Sequence, residues 1–178
     1  MKKIAVGSLV GGIIIFFWQF LSWALLDLHR PMQEHTPKQT EILDYLGQNL
    51  EEGFYYLPTL PKGAAHEEYE TLMKSSEGKP WAQIYYHKSL NTAMGMNMVR
   101  GLLADIIAVA LLCWVLLKMG NPSFQTIVIS SVGVGLISFL TAVYTIHIWY
   151  EIKVFQDLVD AILQWGVTGL WLGWWLRK

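Results

Sequence analysis

MVRGLLADIIAVALLCWVLL, residues 98–117, decides how this chain is read. Only Arg100 and Asp105 interrupt an otherwise apolar run. A helix needs ~20 such residues to cross a hydrocarbon core of ~30 Å. Three further stretches of this kind lie at residues 4–26, 124–147 and 156–176. A soluble domain of 178 residues has no need of four. Composition agrees, with 53% hydrophobic and 15% charged residues. The runs are continuous rather than alternating, so helices are expected in place of a barrel. The expected fold is a membrane all-α four-helix transmembrane bundle with a small extracytoplasmic α+β domain inserted between helices 1 and 2. Its parts are residues 1–26 for the first helix, 27–97 for the inserted domain and 98–178 for the last three helices (98–117, 124–147, 156–176).

The first stretch has the basic start of a secretion signal, at Lys2 and Lys3, and Ser22-Trp23-Ala24 loosely resembles a cleavage site. Its apolar part exceeds the ~7–15 residues of a signal, so a retained helix is expected. Basic residues then set the orientation. An inward N-terminus places Lys2, Lys3, Lys118, Arg177 and Lys178 on the cytoplasmic side, in segments free of Asp and Glu. Both termini are then cytoplasmic, and 27–97 and the short 149–155 loop face outward. The outer block has six basic residues of its own, but long loops translocate largely regardless of charge. The expected location is a bacterial inner (cytoplasmic) membrane, crossed several times.

Aromatic residues mark the helix ends. Trp18 and Trp23 approach the outer end of helix 1, Trp149 follows helix 3, and Trp171, Trp174 and Trp175 crowd the inner end of helix 4. Such rings prefer the membrane interfaces. The sharper reading, a platform for a cofactor or carbohydrate, stays open beside that one. The single cysteine, Cys113, excludes an intramolecular disulfide and paired-cysteine redox chemistry. A net charge of −1 gives no case for nucleic-acid binding. No P-loop, dinucleotide fingerprint, zinc-protease helix or fixed-period repeat occurs, so no cofactor is implied and the reading leans away from an enzyme.

In the outer block, PKQTEILDYLGQNL (37–50) has apolar residues near helical spacing, with Thr40 as the expected cap. GFYYLP (53–58) and WAQIYYHK (81–88) read as aromatic strands, and 64–74 as a second helix stopped by Gly78-Lys79-Pro80. The two strands should pair and lean on a helix, because a lone hairpin is marginal in water. In the bundle, Gly7 with Gly11 and Gly169 with Gly173 form GxxxG pairs, and Gly133 and Gly135 sit in helix 3. These argue for close helix packing, within one chain or between two.

Depth matching yields the candidate site. Asp105 lies about seven residues inside helix 2, so ~10 Å below its outer end. Gln19, Thr141 and Gln164 fall near the same depth on the other helices, with Asp160, Tyr144 and Ser22 one turn shallower. Ser131, Ser138 and Thr145 add a polar stripe on helix 3. Charged residues at such depth normally face the protein interior. One connected polar layer around Asp105 is expected, with Asp105, Asp160, Gln19, Thr141, Tyr144, Gln164 and Arg100 as candidate ligand-binding residues. The layer either fixes helix register or lines an outward cavity for a small polar ligand, proton or ion.

Above it runs a rim of Asp27, His29, Arg30, Arg100, His147 and Glu151. His147 and Glu151 would share a face if helix 3 continued, and Asp157 would complete a nitrogen–oxygen metal set. The competing reading is an ion-pair network neutralising Arg100. Met94, Met96 and Met98, with His87 nearby in sequence, make a thioether candidate for copper, or simple apolar packing.

FFWQFLSWALLDLH (16–29) followed by EGFYYLP (52–58) resembles a family of small, uncharacterised four-helix bacterial inner-membrane proteins. There a Trp-rich first helix ends in a similar SW…H pattern before an outer strand. The resemblance covers the first third of the chain and implies a location, with no activity. The expected function is that of an accessory or interaction protein, contacting another membrane protein or itself through its domain and glycine-rich helices. The rivals are a binding or transport protein built on the Asp105 layer, and a metal-binding protein or enzyme using the rim.

Overall fold

A computed structural model describes residues 1–178. The chain is mostly helical, with one two-stranded sheet, and divides into two units: Met1–Glu34 with Ala93–Lys178, and His35–Thr92.

The first unit holds α1 (Lys2–Phe20), α4 (Met94–Lys118), α5 (Phe124–Ser138), α6 (Thr145–Tyr150) and α7 (Phe155–Trp175). A π-helical turn, Leu21–Leu25, ends α1, and a second, Phe139–Tyr144, joins α5 to α6. Three continuous helical stretches, Lys2–Leu25, Met94–Lys118 and Phe124–Tyr150, are long and apolar enough to cross a membrane. α7 has 21 residues but is not among them. Gln156, Asp157, Asp160, Gln164 and four tryptophans leave its mean hydropathy below that of the other three. α7 packs on both α1 and α5, and buries Asp160 and Thr168 together with Ala161, Trp165, Gly169, Leu172 and Gly173.

α1 packs along α4 on one side and α7 on the other. One apolar cluster lies between the helices, built on Ile15, Val109, Leu112, Cys113, Leu116, Ile127, Trp165 and Leu172. The outward faces remain apolar, with Ile13, Phe17, Ile107, Leu111, Ile129 and Ile137 exposed. A helix apolar on all sides suits a lipid surround.

Glycines set the helix spacing, and the contacts lie within one chain. A Cβ at Gly11 would meet Val109 at 2.7 Å, and one at Gly12 the Ile106 backbone at 2.8 Å, so α4 sits directly on these positions. Gly169 faces Ser131 at 2.9 Å, and Gly135 faces the Ala161 carbonyl and the Trp165 ring. Gly133 faces open space.

The second unit holds α2 (Gln39–Asn49), β1 (Gly53–Leu57), α3 (His66–Ser76) and β2 (Ala82–Tyr86). The strands pair antiparallel, with Gly53 opposite Tyr86 and Leu57 opposite Ala82, as the aromatic alternation predicts. Phe54 stacks on Tyr85 with centroids 4.5 Å apart. The Lys88 amide donates to Glu52 at 2.9 Å, and its ammonium pairs with Glu51, which holds the Lys88 amine above the usual lysine range. α2 begins at Gln39, so Thr40 lies inside it and caps nothing. Tyr86 is the sole buried residue of this unit.

Candidate functional site

The centre of the polar layer is Asp160, and Asp105 stands to one side. The Trp18 indole N–H donates to Asp160 Oδ1 at 2.9 Å, and the Ser22 hydroxyl donates to it at 2.8 Å. His29 Nε2 meets Asp160 Oδ2 at 2.9 Å. Both oxygens of this one carboxyl are thus tied to side chains from the end of α1 and the turn after it. Ser22 and His29 are almost completely buried, at 0% and 2% exposure.

The local fold explains how His29, which follows α1, reaches this position. The π turn carries the chain to a bend at Asp27, whose φ is 49°. Aspartate tolerates this left-handed conformation better than most residues. The Leu28 amide then donates to the Ser22 carbonyl at 2.9 Å, which turns the chain back over the helix end. Trp23 covers the imidazole, with centroids 3.9 Å apart and planes 5° from parallel. His29 Nδ1 faces Met32 Sδ at 3.2 Å. Both ring nitrogens therefore have a partner, Asp160 on one side and Met32 on the other.

A cavity of about 320 Å³ opens beside this pair. Trp23, Gln19, Ser138, Asp157 and Gln164 line it with His29 and Asp160, and Phe139, Val143 and Trp165 complete its walls. Trp23 belongs to one π turn, and Phe139 and Val143 to the other. π turns occur frequently at functional sites because the extra residue re-aims the side chains around it. The lining contains no Lys or Arg. Gln164 Oε1 is buried with no protein donor. An unmet buried acceptor costs ~1–3 kcal/mol, and this oxygen is closed to water, so it is not part of the open surface of the cavity.

The expected layer is thus partly assembled. Gln19, Asp160 and Gln164 share the cavity, and Gln19 links it to Asp105 by donating to Oδ1 at 3.2 Å. Asp105 Oδ2 is buried without a partner, and Asp105 does not line the cavity. Thr141 and Tyr144 are exposed, and Thr141 donates to the Ile137 carbonyl. Both sit in the second π turn, whose extra residue rotates them off the face that a 3.6-residue period assigns. The same turn breaks the stripe of Ser131, Ser138 and Thr145. Ser131 is buried, Ser138 lines the cavity, and Thr145 is exposed, donating to Leu140 five residues back.

The rim does not form the expected metal set or ion-pair network. No three His, Cys, Asp or Glu side chains gather as a metal requires. The helix ends at Tyr150, and Glu151 turns left-handed at φ 53°, so His147 and Glu151 do not continue on one face. His147 Nδ1 lies 2.6 Å from the Ile152 carbonyl, and Asp157 lines the cavity instead. Arg100 is exposed and takes part in no salt bridge. Met94, Met96 and Met98 all lie at the start of α4 and are exposed. At 100° per residue, Met96 points away from the other two, so the three thioethers do not converge. His87 belongs to the other unit.

Sequence reasoning placed Trp18 and Trp23 as interface anchors and His29 on the rim. The available signal was Trp18 and Ser22 at i, i+4 on one face of α1, pointing at the same depth as Asp160. The order His29–Asp160–Ser22 puts the carboxylate between imidazole and hydroxyl. It is therefore not a nucleophilic triad, in which the imidazole must contact the hydroxyl. No family model, curated protein or solved structure matches this chain.

Proposed function

We propose that this protein is a small binding or transport protein of a bacterial inner membrane, whose outward-facing cavity takes a small polar solute. In this reading α7 joins the three apolar helices as a fourth span, both termini are cytoplasmic, and residues 35–92 lie outside. The observation that carries it is the cavity itself. A buried His29–Asp160 pair, the carboxyl of Asp157 and the side chain of Ser138 line a space of a size suited to small ligands. With acceptors in excess and no Lys or Arg, it fits a neutral or cationic molecule rich in hydrogen-bond donors.

The test uses the single native cysteine. In a Cys113→Ala background, Ser138→Cys and Gln164→Cys should react with a membrane-impermeant thiol reagent applied outside intact cells. A panel of small amines, polyols and carboxylates is then screened for thermal stabilisation of purified protein, since a ligand of the native state raises stability by mass action. Amines or polyols should stabilise the protein, and Asp157→Asn should weaken the effect. Silence of both cysteines, or stabilisation by carboxylates alone, would refute the reading.

A second reading, the accessory or interaction role, draws support from a different observation. Of the residues His35–Thr92, Tyr86 alone is buried, while Phe54, Trp81 and Tyr85 are exposed. A unit of this size without a core needs a covering surface to be stable. Native mass spectrometry of gently extracted protein would then show a companion membrane protein or a homo-oligomer. Bare monomers under conditions that preserve known complexes would remove this reading.

A further inference from the structure

The other end of the helical unit carries a second pocket, unrelated to the His29–Asp160 cavity. It encloses about 440 Å³ between the start of α1, the α4–α5 turn and the end of α7. Lys3 and Arg177 stand at it, Asn121 and Ser123 add polar groups, and Leu116, Leu117 and Ile127 supply an apolar wall. No Asp or Glu side chain lines it.

The cations at this end share one property: none is paired with a carboxylate side chain. Lys2, Lys3, Lys118, Arg177 and Lys178 are absent from every salt bridge in the chain. Lys178 lies 3.3 Å above the Trp174 ring and Lys118 lies 6.0 Å from Trp114. Those two are drawn to ring faces, outside the pocket. Lys3 is held differently. Its ammonium donates to the Leu176 carbonyl at 2.8 Å, and its own carbonyl accepts from the Trp175 indole at 2.9 Å. This clip joins the start of α1 to the end of α7 and fixes one positive charge at the pocket, with Arg177 beside it. An ammonium has three donors, and the carbonyl uses one.

Position along the helices supplies the rest. The pocket lies where two apolar stretches begin or end, Lys2–Leu25 and Met94–Lys118, and where a third starts at Phe124. If those stretches cross a bilayer, the pocket lies at phosphate depth, with the half-buried Leu117 as the part of its apolar wall open to acyl chains. Basic pockets between helices at a membrane surface bind anionic head groups.

We propose that this pocket binds the phosphate of an anionic phospholipid through Lys3 and Arg177. A free phosphate ion offers the same chemistry without the acyl chains that would lie on Leu117. The site is independent of the solute cavity and stands or falls apart from it.

The experiment takes the full-length protein in neutral detergent and titrates it with dioleoyl phosphatidylglycerol, dioleoyl phosphatidylcholine or inorganic phosphate. Native mass spectrometry reads discrete lipid adducts, and the thermal midpoint reads saturation. Phosphatidylglycerol should give a saturable single-lipid adduct that phosphatidylcholine does not. Lys3→Gln and Arg177→Gln should each weaken it roughly fivefold, the effect of one cation near an anionic head group. Lys3→Arg, which keeps the charge, should bind as the parent does, and Lys118→Gln should leave binding unchanged. Inorganic phosphate stabilising the protein as well as the lipid does, with the same variants losing the effect, would keep the site and assign it to the free ion. Equal retention of both lipids would overturn the proposal. So would a loss in Lys118→Gln matching that in Lys3→Gln, which is the signature of diffuse net charge. Variants whose lipid-free midpoint matches the parent establish that folding is intact.

Discussion

Replacing Asp160 with alanine removes the carboxyl that Trp18, Ser22 and His29 share. Trp18, Ser22 and His29 all reach this carboxyl from the α1 end, and Asp160 sits on α7. Interhelical hydrogen bonds in membrane proteins contribute ~0.6–1.7 kcal/mol each. Three such bonds put Asp160→Ala at a loss of ~2–5 kcal/mol. Asp160→Asn keeps one oxygen for Trp18 and Ser22 and turns an amide toward His29, so it should lose about half as much. The double variant Asp160→Ala/His29→Ala removes both partners and should be less damaging than the two single losses together, with a coupling of ~1–3 kcal/mol. The assay is equilibrium unfolding in mixed micelles, followed by far-UV circular dichroism. Tryptophan fluorescence gives a second readout, since Trp23 lies flat on the His29 ring. A loss below about 1 kcal/mol in Asp160→Ala, with no coupling to His29, would refute the view that this pair ties α1 to α7.

Three other outcomes test the remaining geometry. Gly135→Val drives a side chain against the Ala161 carbonyl and Trp165 and should destabilise the protein by ~1–3 kcal/mol, whereas Gly133→Ala, which meets open space, should be neutral or gain up to ~1 kcal/mol in the same unfolding assay. Asp27→Gly should be tolerated at φ 49°, while Asp27→Val should cost ~1–2 kcal/mol and loosen the Trp23–His29 stack, seen as altered tryptophan emission. The hydrogen bond and charge of Lys153 hold the Glu34 carboxyl below the ordinary glutamate range. The stabilisation from that pair is therefore complete above the ordinary range and lost as pH falls through the lowered value; a carboxyl-detected NMR titration of Glu34 at or above the ordinary range would contradict the contact.

Composition and run length alone determined that this chain is built from long apolar helices, because ~20 continuous apolar residues have few other stable arrangements. Alternation and Gly-Pro breaks were enough to place the paired strands 53–57 and 82–86 within a residue or two, since each strand carries its own period of two. Depth counting along the helices brought Gln19 and Gln164 to one level with Asp160 one turn away, and all three line the cavity, because rise per residue is nearly constant in a helix.

Direction around the helix axis was another matter. Thr141 and Tyr144 left the cavity and Asp105 became peripheral to it, because phase depends on every turn between two residues, and a single π turn resets it. No local signal marks such a turn in FLTAVY or LSWAL. The tertiary structure alone recruited His29, which lies after the helix and enters the site only through the left-handed bend at Asp27. Packing also settled the glycine pairs. GxxxG spacing is the same whether the facing helix belongs to this chain or another, and only the close approach of Val109 to Gly11 and of Ser131 to Gly169 shows that these contacts lie within one chain.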